Sequence, residues 1–118
     1  MIVAIPVEKD RIRVTNLFGP APGFMIINTD TGEKKFINNV YACGGCKEGC
    51  IEGKNAADLL AEQKVEALLI EKISEAPFLK LLQKGIVVYE LPLGTQTVDE
   101  ALSLFKEGKT KVLYISST

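Results

Sequence analysis

Short apolar runs separated by turn residues fill the first third of the chain, a pattern that predicts strands. Residues 2–6 are one such run and predict a buried first strand. Residues 11–14 alternate charged with β-branched residues, whereas the prolines in residues 18–23 are incompatible with a central strand and predict a rigid connecting loop. Residues 24–27 and 35–37 flank a segment rich in Asn, Asp and Gly, so they predict an antiparallel hairpin.

From residue 55 onward the apolar positions recur at helical spacing and alternate with further strand-like runs. Asn55 with Asp58 three residues later resembles a capping box, and Ser74 is the expected N-cap of a second helix. Thr97 with Glu100 is a capping box that opens a third helix. The sequence therefore predicts three helices in the second half of the chain.

Glycines mark the expected ends of the later helices. Gly85 and Gly108 stand where the second and third helices should stop, because glycine readily adopts the left-handed conformation that closes a helix. Further strands are predicted between the helices at residues 65–70 and 86–91, and residues 112–115 form a short final strand or an extended tail. Strands followed by helix, strand, helix, strand and helix demand a mixed sheet with parallel crossovers. We therefore predict an α/β fold with helices on both faces of the sheet.

Length and composition indicate one globular domain. The 118 residues fit a single core over residues 1–118, and 47% hydrophobic with 25% charged residues is an ordinary balance for a folded domain. Lys and Arg number 14 against 15 Asp and Glu, which argues against nucleic acid as a partner. No apolar run approaches the roughly 20 residues of a membrane span, so no membrane contact is expected. The first residues lack the basic start of a signal peptide, and we expect a cytoplasmic protein.

All three cysteines lie within eight residues, as Cys43, Cys46 and Cys50, in a chain that has no histidine. They belong to a stretch of about 17 residues, 38–54, which has no helix or strand periodicity and is longer than a plain connection needs. Thiolate is a soft anionic ligand for zinc, copper(I) and iron–sulfur clusters, and the C-x2-C spacing lets two sulfurs share one metal. The three cysteines are therefore the predicted metal ligands.

The residues around the cysteines favour an anionic metal–sulfur cluster. Glycines within residues 44–53 let the backbone curve, and backbone N–H groups in such a curve attract anions. Lys47 adds positive charge, as does the helix expected to start near Asn55. A closed zinc site would need Glu48 or Glu52 as its fourth ligand, since no histidine is present. Three thiolates alone leave a coordination position open, which suits a cluster that is received and handed on.

Two other functions are compatible with the same cysteines. A C-x2-C pair is also a dithiol motif, so Cys43 or Cys46 could be the nucleophile of a thiol–disulfide oxidoreductase, activated by Lys47 and the helix start. Alternatively, the segment could hold zinc that keeps an interaction domain ordered. Without histidine the chain cannot form a Ser–His or Cys–His catalytic arrangement, and we predict no catalytic residues.

Further motifs lie outside the cysteine stretch. Residues 18–24 read Phe-Gly-Pro-Ala-Pro-Gly-Phe, and residues 97–102 read Thr-Val-Asp-Glu-Ala-Leu. Together with residues 13–17, 85–88 and 106–109, they resemble the dinitrogenase iron-molybdenum cofactor family, of the NifX and NifB C-terminal type, over nearly the whole chain. The resemblance implies a ribonuclease-H-like α/β fold with a mixed sheet of about five strands.

The same resemblance implies a function. Members of this family are associated with binding or carrying iron–molybdenum or related metal–sulfur clusters, without established catalysis, so proteins that donate or accept the cluster are the expected partners. A symmetric homodimer could supply six thiolates from two such cysteine segments. Phe18 and Gly19 could shape a wall beside the cluster, although a turn and core anchor is the simpler role.

The chain departs from the family pattern in two places. Many members carry a histidine-containing, glycine-rich stretch before the first helix, where residues 43–53 here carry cysteines instead. The ligand set is therefore replaced, and the metal it selects is open. Many members are also glycine-rich after the central strand. Residues 71–75 here lack glycine, which predicts that no pocket wall forms there by close backbone approach.

Overall fold

The structure is a computed structural model that describes residues 1–10, 12–15, 18, 21–38, 56–73 and 75–113. These residues form strands and helices in an order that follows the predicted pattern. They are β1 (Ile2–Val7), β2 (Gly23–Asn28), β3 (Lys34–Asn38), α1 (Ala56–Glu62), β4 (Ala67–Ile70), α2 (Glu75–Gln83), β5 (Val87–Glu90), α3 (Val98–Lys106) and β6 (Lys111–Leu113). Among the described residues, the helices all fall short of the length and apolarity needed to cross a bilayer.

The strands form one sheet in the order β3-β2-β1-β4-β5-β6. β1 lies between antiparallel β2 and parallel β4, and β5 runs parallel to β4. β3 and β6 add antiparallel strands at the two edges. The predicted mixed α/β sheet with parallel crossovers is confirmed. The expected count of about five strands is wrong, because the short strand Lys111–Leu113 pairs with the outer edge of β5 and becomes a sixth.

The two faces of the sheet bury separate hydrophobic clusters, because successive side chains of a strand point to opposite faces. One cluster packs the sheet against α1 and α2, and the other packs it against α3. The first includes Ala4, Leu68 and Val88 of the sheet with Leu60, Phe78 and Leu81 of the helices. The second includes Val3, Ile5 and Leu69 of the sheet with Val98, Ala101 and Leu102 of α3. The prediction of helices on both faces is confirmed.

The turn between β2 and β3 is closed by Asn28. Its side-chain Oδ1 accepts a hydrogen bond from Asp30 N at 2.9 Å, and its carbonyl oxygen accepts one from Gly32 N at 2.7 Å. The strands on either side pair in register, with Phe24 opposite Ile37. The hairpin predicted for this segment is confirmed, and its Asn and Gly have the roles expected of turn residues.

The alternating segment at residues 12–14 makes isolated bridges rather than a regular strand. Asp10 Oδ1 accepts hydrogen bonds from Ile12 N and Arg13 N, both at 2.9 Å, and so folds the segment into a turn. Val14 then bridges to β1, and Arg13 bridges to Thr97. The turn after β1 is thereby joined to the start of α3.

The capping box predicted for α3 is present in a shifted form. Thr97 is the N-cap, and its hydroxyl accepts a hydrogen bond from Glu100 N at 3.2 Å. Glu100 Oε1 accepts a hydrogen bond from Gln96 N at 2.9 Å, one residue before the N-cap. The usual capping box would bond the N-cap N–H itself. The bridge between Thr97 and Arg13 is made by hydrogen bonds on either side of Thr97, from Val14 N to Gln96 O and from Val98 N to Ile12 O. One short segment therefore caps α3 and attaches it to the loop after β1.

The three described helices end with the same Schellman pattern of backbone hydrogen bonds. Gly85 and Gly108 follow α2 and α3 with φ values of 79° and 74°, as predicted. The equivalent position after α1 is Lys64, with φ 61°, and Val65 N donates to Leu60 O at 3.2 Å to complete the motif. Because a side chain is strained in this conformation, α1 ends less favourably than the other two helices. The predicted N-caps Asn55 and Ser74 and the end of the predicted last strand, residues 114–115, lie outside the described residues.

Candidate functional site

The stretch that carries the cysteines, residues 39–55, is called the thiol segment below. The predicted ligands and their supporting and alternative residues all lie outside the described residues: Cys43, Cys46, Lys47, Glu48, Cys50 and Glu52. The structure does describe both flanks of the thiol segment. β3 ends at Asn38 on one side, and α1 begins at Ala56 on the other.

Asn38 lies at the end of the sheet where the parallel strands terminate. It pairs with Gly23, which in turn pairs with Val7, the last residue of β1. Since β4 and β5 run parallel to β1, their last residues lie at this same end, which we call the carboxyl end of the sheet. Loops at the carboxyl ends of parallel strands form the usual ligand crevice of open α/β sheets.

The other flank of the thiol segment is the start of α1 at Ala56. After α1 closes, Glu66 N donates to Ile2 O at 2.8 Å, beside the first residue of β1. The last turn of α1 is therefore at the opposite end of the sheet. α1 is seven residues long, or about 10 Å, and runs along the sheet face toward the start of β4. The first turn of α1 lies beside the end of α2, through Asp58 and Lys84, so the β3 flank is the attachment point that the strand register places at the carboxyl end.

α1 is anchored by apolar packing and by an ion pair. Ala57 and Leu60 are buried in the cluster that α1 shares with α2. Asp58 Oδ1 lies 2.7 Å from Lys84 Nζ, at the end of α2, and the Asp58 side chain is only 16% exposed. The capping role expected of Asp58 requires Asn55, which lies outside the described residues. Within the part that is described, Asp58 links the first turn of α1 to α2.

The family motif at residues 18–24 anchors the loop between β1 and β2 in the core. The rings of Phe18 and Phe24 are tilted against each other with centroids 5.5 Å apart, and both are buried. Ala21 between them is fully buried. Phe18 is therefore a core anchor rather than part of an exposed wall. Gly19 lies outside the described residues.

Gly23, the residue before the last of this motif, allows β3 to approach β2 closely. A Cβ atom on Gly23 would collide with the ring of Phe36 and would lie 2.5 Å from the carbonyl oxygen of Ile37. A residue with a side chain at position 23 would therefore displace β3. Because β3 leads directly into the thiol segment, Gly23 fixes the point at which that segment leaves the sheet.

A groove of about 510 Å³ opens at the carboxyl ends of β4 and β5. Its lining includes three lysines, two glutamates and an exposed leucine: Lys72, Lys109, Lys111, Glu71, Glu90 and Leu93. Glu71 Oε2 accepts a hydrogen bond from Gly94 N at 3.3 Å, which joins the end of β4 to the turn after β5. Side chains such as Glu71 and Lys72 line this part of the groove, at positions where many family members have glycine. The groove was not predicted from the sequence, although the loops after two consecutive parallel strands are a signal for one.

The turn after β1 contributes a charged pair to the same end of the sheet. Arg13 Nε lies 2.8 Å from Asp10 Oδ2. The backbone N–H groups of Arg13 and Ile12, followed by the guanidinium of Arg13, lower the pKa of Asp10 from 3.8 to about 2. The hydrogen bond with Asp10, and then the charge of its carboxylate, raises the pKa of Arg13. Asp10 is therefore ionised at neutral pH and stabilises this turn.

Within the described ranges, no cluster of three or more His, Cys, Asp or Glu side chains is arranged to hold a metal ion. Soft metals prefer thiolates, and all the thiols of the chain belong to the thiol segment. The metal ligands therefore stay a prediction from the sequence, on a segment whose two attachment points are known.

The fold and the motifs it positions define a class of protein. The chain belongs to the dinitrogenase iron-molybdenum cofactor family, whose model matches residues 1–108. The resemblance noted in the sequence is thereby confirmed, and it associates the chain with the handling of that cofactor.

Three individual proteins are similar to this chain. An uncharacterized protein of Methanocaldococcus jannaschii is 32% identical over 112 residues, which cover 92% of this chain and 88% of that protein. The NMR structure of a Thermotoga protein, provisionally described as a NifB protein, is similar over 99% of this chain and 98% of that one, with 27% identity and a TM-score of 0.73. The apo form of the orange protein from Desulfovibrio gigas shares the fold, with 24% identity, a TM-score of 0.77 and coverage of 95% of this chain and 92% of that one.

Proposed function

We propose that this protein binds and carries a metal–sulfur cluster, of iron–sulfur or iron–molybdenum type, through the thiolates of Cys43, Cys46 and Cys50. Lys47 supplies positive charge beside the anionic cluster. One observation carries the proposal: the three thiols are confined to eight residues of a family member associated with the iron–molybdenum cofactor. Thiolates are the usual protein ligands of such clusters.

The scaffold around the thiol segment supports a binding role. One flank is held by β3, which requires Gly23 for its close approach to β2. The other flank is held by α1 through buried Leu60 and the ion pair of Asp58 with Lys84. A ligand-bearing loop between two fixed ends loses less conformational entropy on binding than a free chain would.

The number of cysteine ligands favours a protein that carries a cluster over one with a permanent structural metal site. A closed structural site for zinc normally has four protein ligands, whereas three thiolates leave a metal open to a ligand from another protein. We propose that proteins that donate or accept the cluster complete this coordination during transfer. The cytoplasm, where thiols stay reduced, is the compartment that suits this chemistry.

The proposal extends to the fold type and the absence of catalysis. Three antiparallel strands followed by two parallel crossovers support the ribonuclease-H-like arrangement that the resemblance implies. We propose a carrier without catalytic residues, in which the cluster is cargo rather than the centre of a reaction.

Anaerobic reconstitution tests the proposal. The protein is incubated with iron and sulfide, with or without molybdate, and its visible absorption and its content of iron, sulfide and molybdenum are measured. We expect charge-transfer bands and stoichiometric metal in the natural protein, and their loss when Cys43, Cys46 and Cys50 are all replaced by Ser. Ser103→Cys in that triple variant is the matched control, since one thiol on α3 should not restore binding. An unchanged spectrum in the natural protein would refute cluster binding.

The same samples distinguish the two alternatives. A zinc-stabilised interaction domain would bind one zinc ion per chain and lose order when zinc is chelated. A thiol–disulfide oxidoreductase would show one thiol of Cys43 or Cys46 that titrates well below its ordinary pKa and would reduce a model disulfide with turnover. Either result in place of a cluster would assign the cysteines to that function instead.

A further inference from the structure

We draw no further inference here: the strongest candidate, the groove at the carboxyl ends of β4 and β5, has lysines in its wall whose charge is offset by Glu71, by Glu90 and by the ion pair of Lys109 with Glu107, and nothing in the described part of the structure shows what would fill it.

Discussion

Asp58 in the first turn of α1 and Lys84 at the end of α2 form an ion pair with Oδ1 and Nζ 2.7 Å apart. The carboxylate is mostly buried, at 16% exposed, whereas the lysine side chain is 42% exposed. The pair connects two helices on the same face of the sheet. Because α1 is the helix that follows the thiol segment, this contact stabilises one of that segment's two attachment points.

We expect Asp58→Asn and Lys84→Met each to lower the free energy of unfolding by about 1 kcal/mol, since each removes the charge of one partner and keeps most of its shape. The double variant should lose less than the sum of the two single losses, because they share one interaction. Denaturant unfolding measures all three values. Lys80→Met, at an exposed position of α2, is the control and should have little effect. Additive losses would contradict a direct interaction.

Lys64 ends α1 with a positive φ of 61°, a conformation that a Cβ atom disfavours. We expect Lys64→Gly to raise the free energy of unfolding by about 0.5–1 kcal/mol. Lys64→Ala is the matched control, because alanine has the same backbone conflict and should bring no such gain. Thermal unfolding measures both variants. An equal gain from alanine would show that the lysine side chain, and not the backbone conformation, limits stability.

Gly23→Ala should destabilise the protein by about 2 kcal/mol, because the added methyl group overlaps the Phe36 ring and the Ile37 carbonyl oxygen. Adding Phe36→Leu to Gly23→Ala should recover part of this loss, since only the ring can be shortened. Denaturant unfolding of the two single variants and the double variant measures the coupling. Independent effects of the two substitutions would be inconsistent with the close approach of β3 to β2.

Asp10 gives the turn after β1 a defined dependence on pH. Its pKa is lowered from 3.8 to about 2, mainly by the backbone N–H groups of Arg13 and Ile12. A lowered pKa means that the folded state favours the ionised carboxylate. Its stabilising contribution is therefore complete above pH 3.8 and is lost as the pH falls toward 2.

Carboxyl chemical shifts followed by NMR should give Asp10 a midpoint near its lowered pKa of about 2. Arg13→Gln should raise that midpoint only in part, since the two backbone donors remain. Asp10→Asn should remove this contribution to the acid dependence of stability. A midpoint at the ordinary value for aspartate would contradict the hydrogen bonds assigned to the carboxylate.

Local sequence signals predicted those parts of the fold that depend on neighbouring residues. The hairpin turn at Asn28 and Gly32 is present, as are the N-cap at Thr97 and the helix ends at Gly85 and Gly108. Each depends on a side-chain hydrogen bond or a backbone conformation that a few adjacent residues define by themselves. The end of α1 at Lys64 was missed, because no glycine marks it.

The candidate site was predictable only in its chemistry. Three thiols in eight residues predict soft-metal ligands without any structure. The point at which the thiol segment leaves the sheet was not predictable, because it depends on the strand register that aligns Asn38, Gly23 and Val7. The groove lined by Glu71 and Leu93 likewise forms only when two chain segments more than 20 residues apart come together.

The amino-acid sequence alone determined the α/β class, the helix and turn signals, the family and the clustering of the three thiols, because spacing and residue type carry these properties along the chain. Tertiary structure alone decided that Lys111–Leu113 pairs with β5 as a sixth strand and that Phe18 is an anchor in the core. These features depend on which distant segments lie side by side. Strand order and long-range packing settle that question, and neither is encoded in any short stretch of residues.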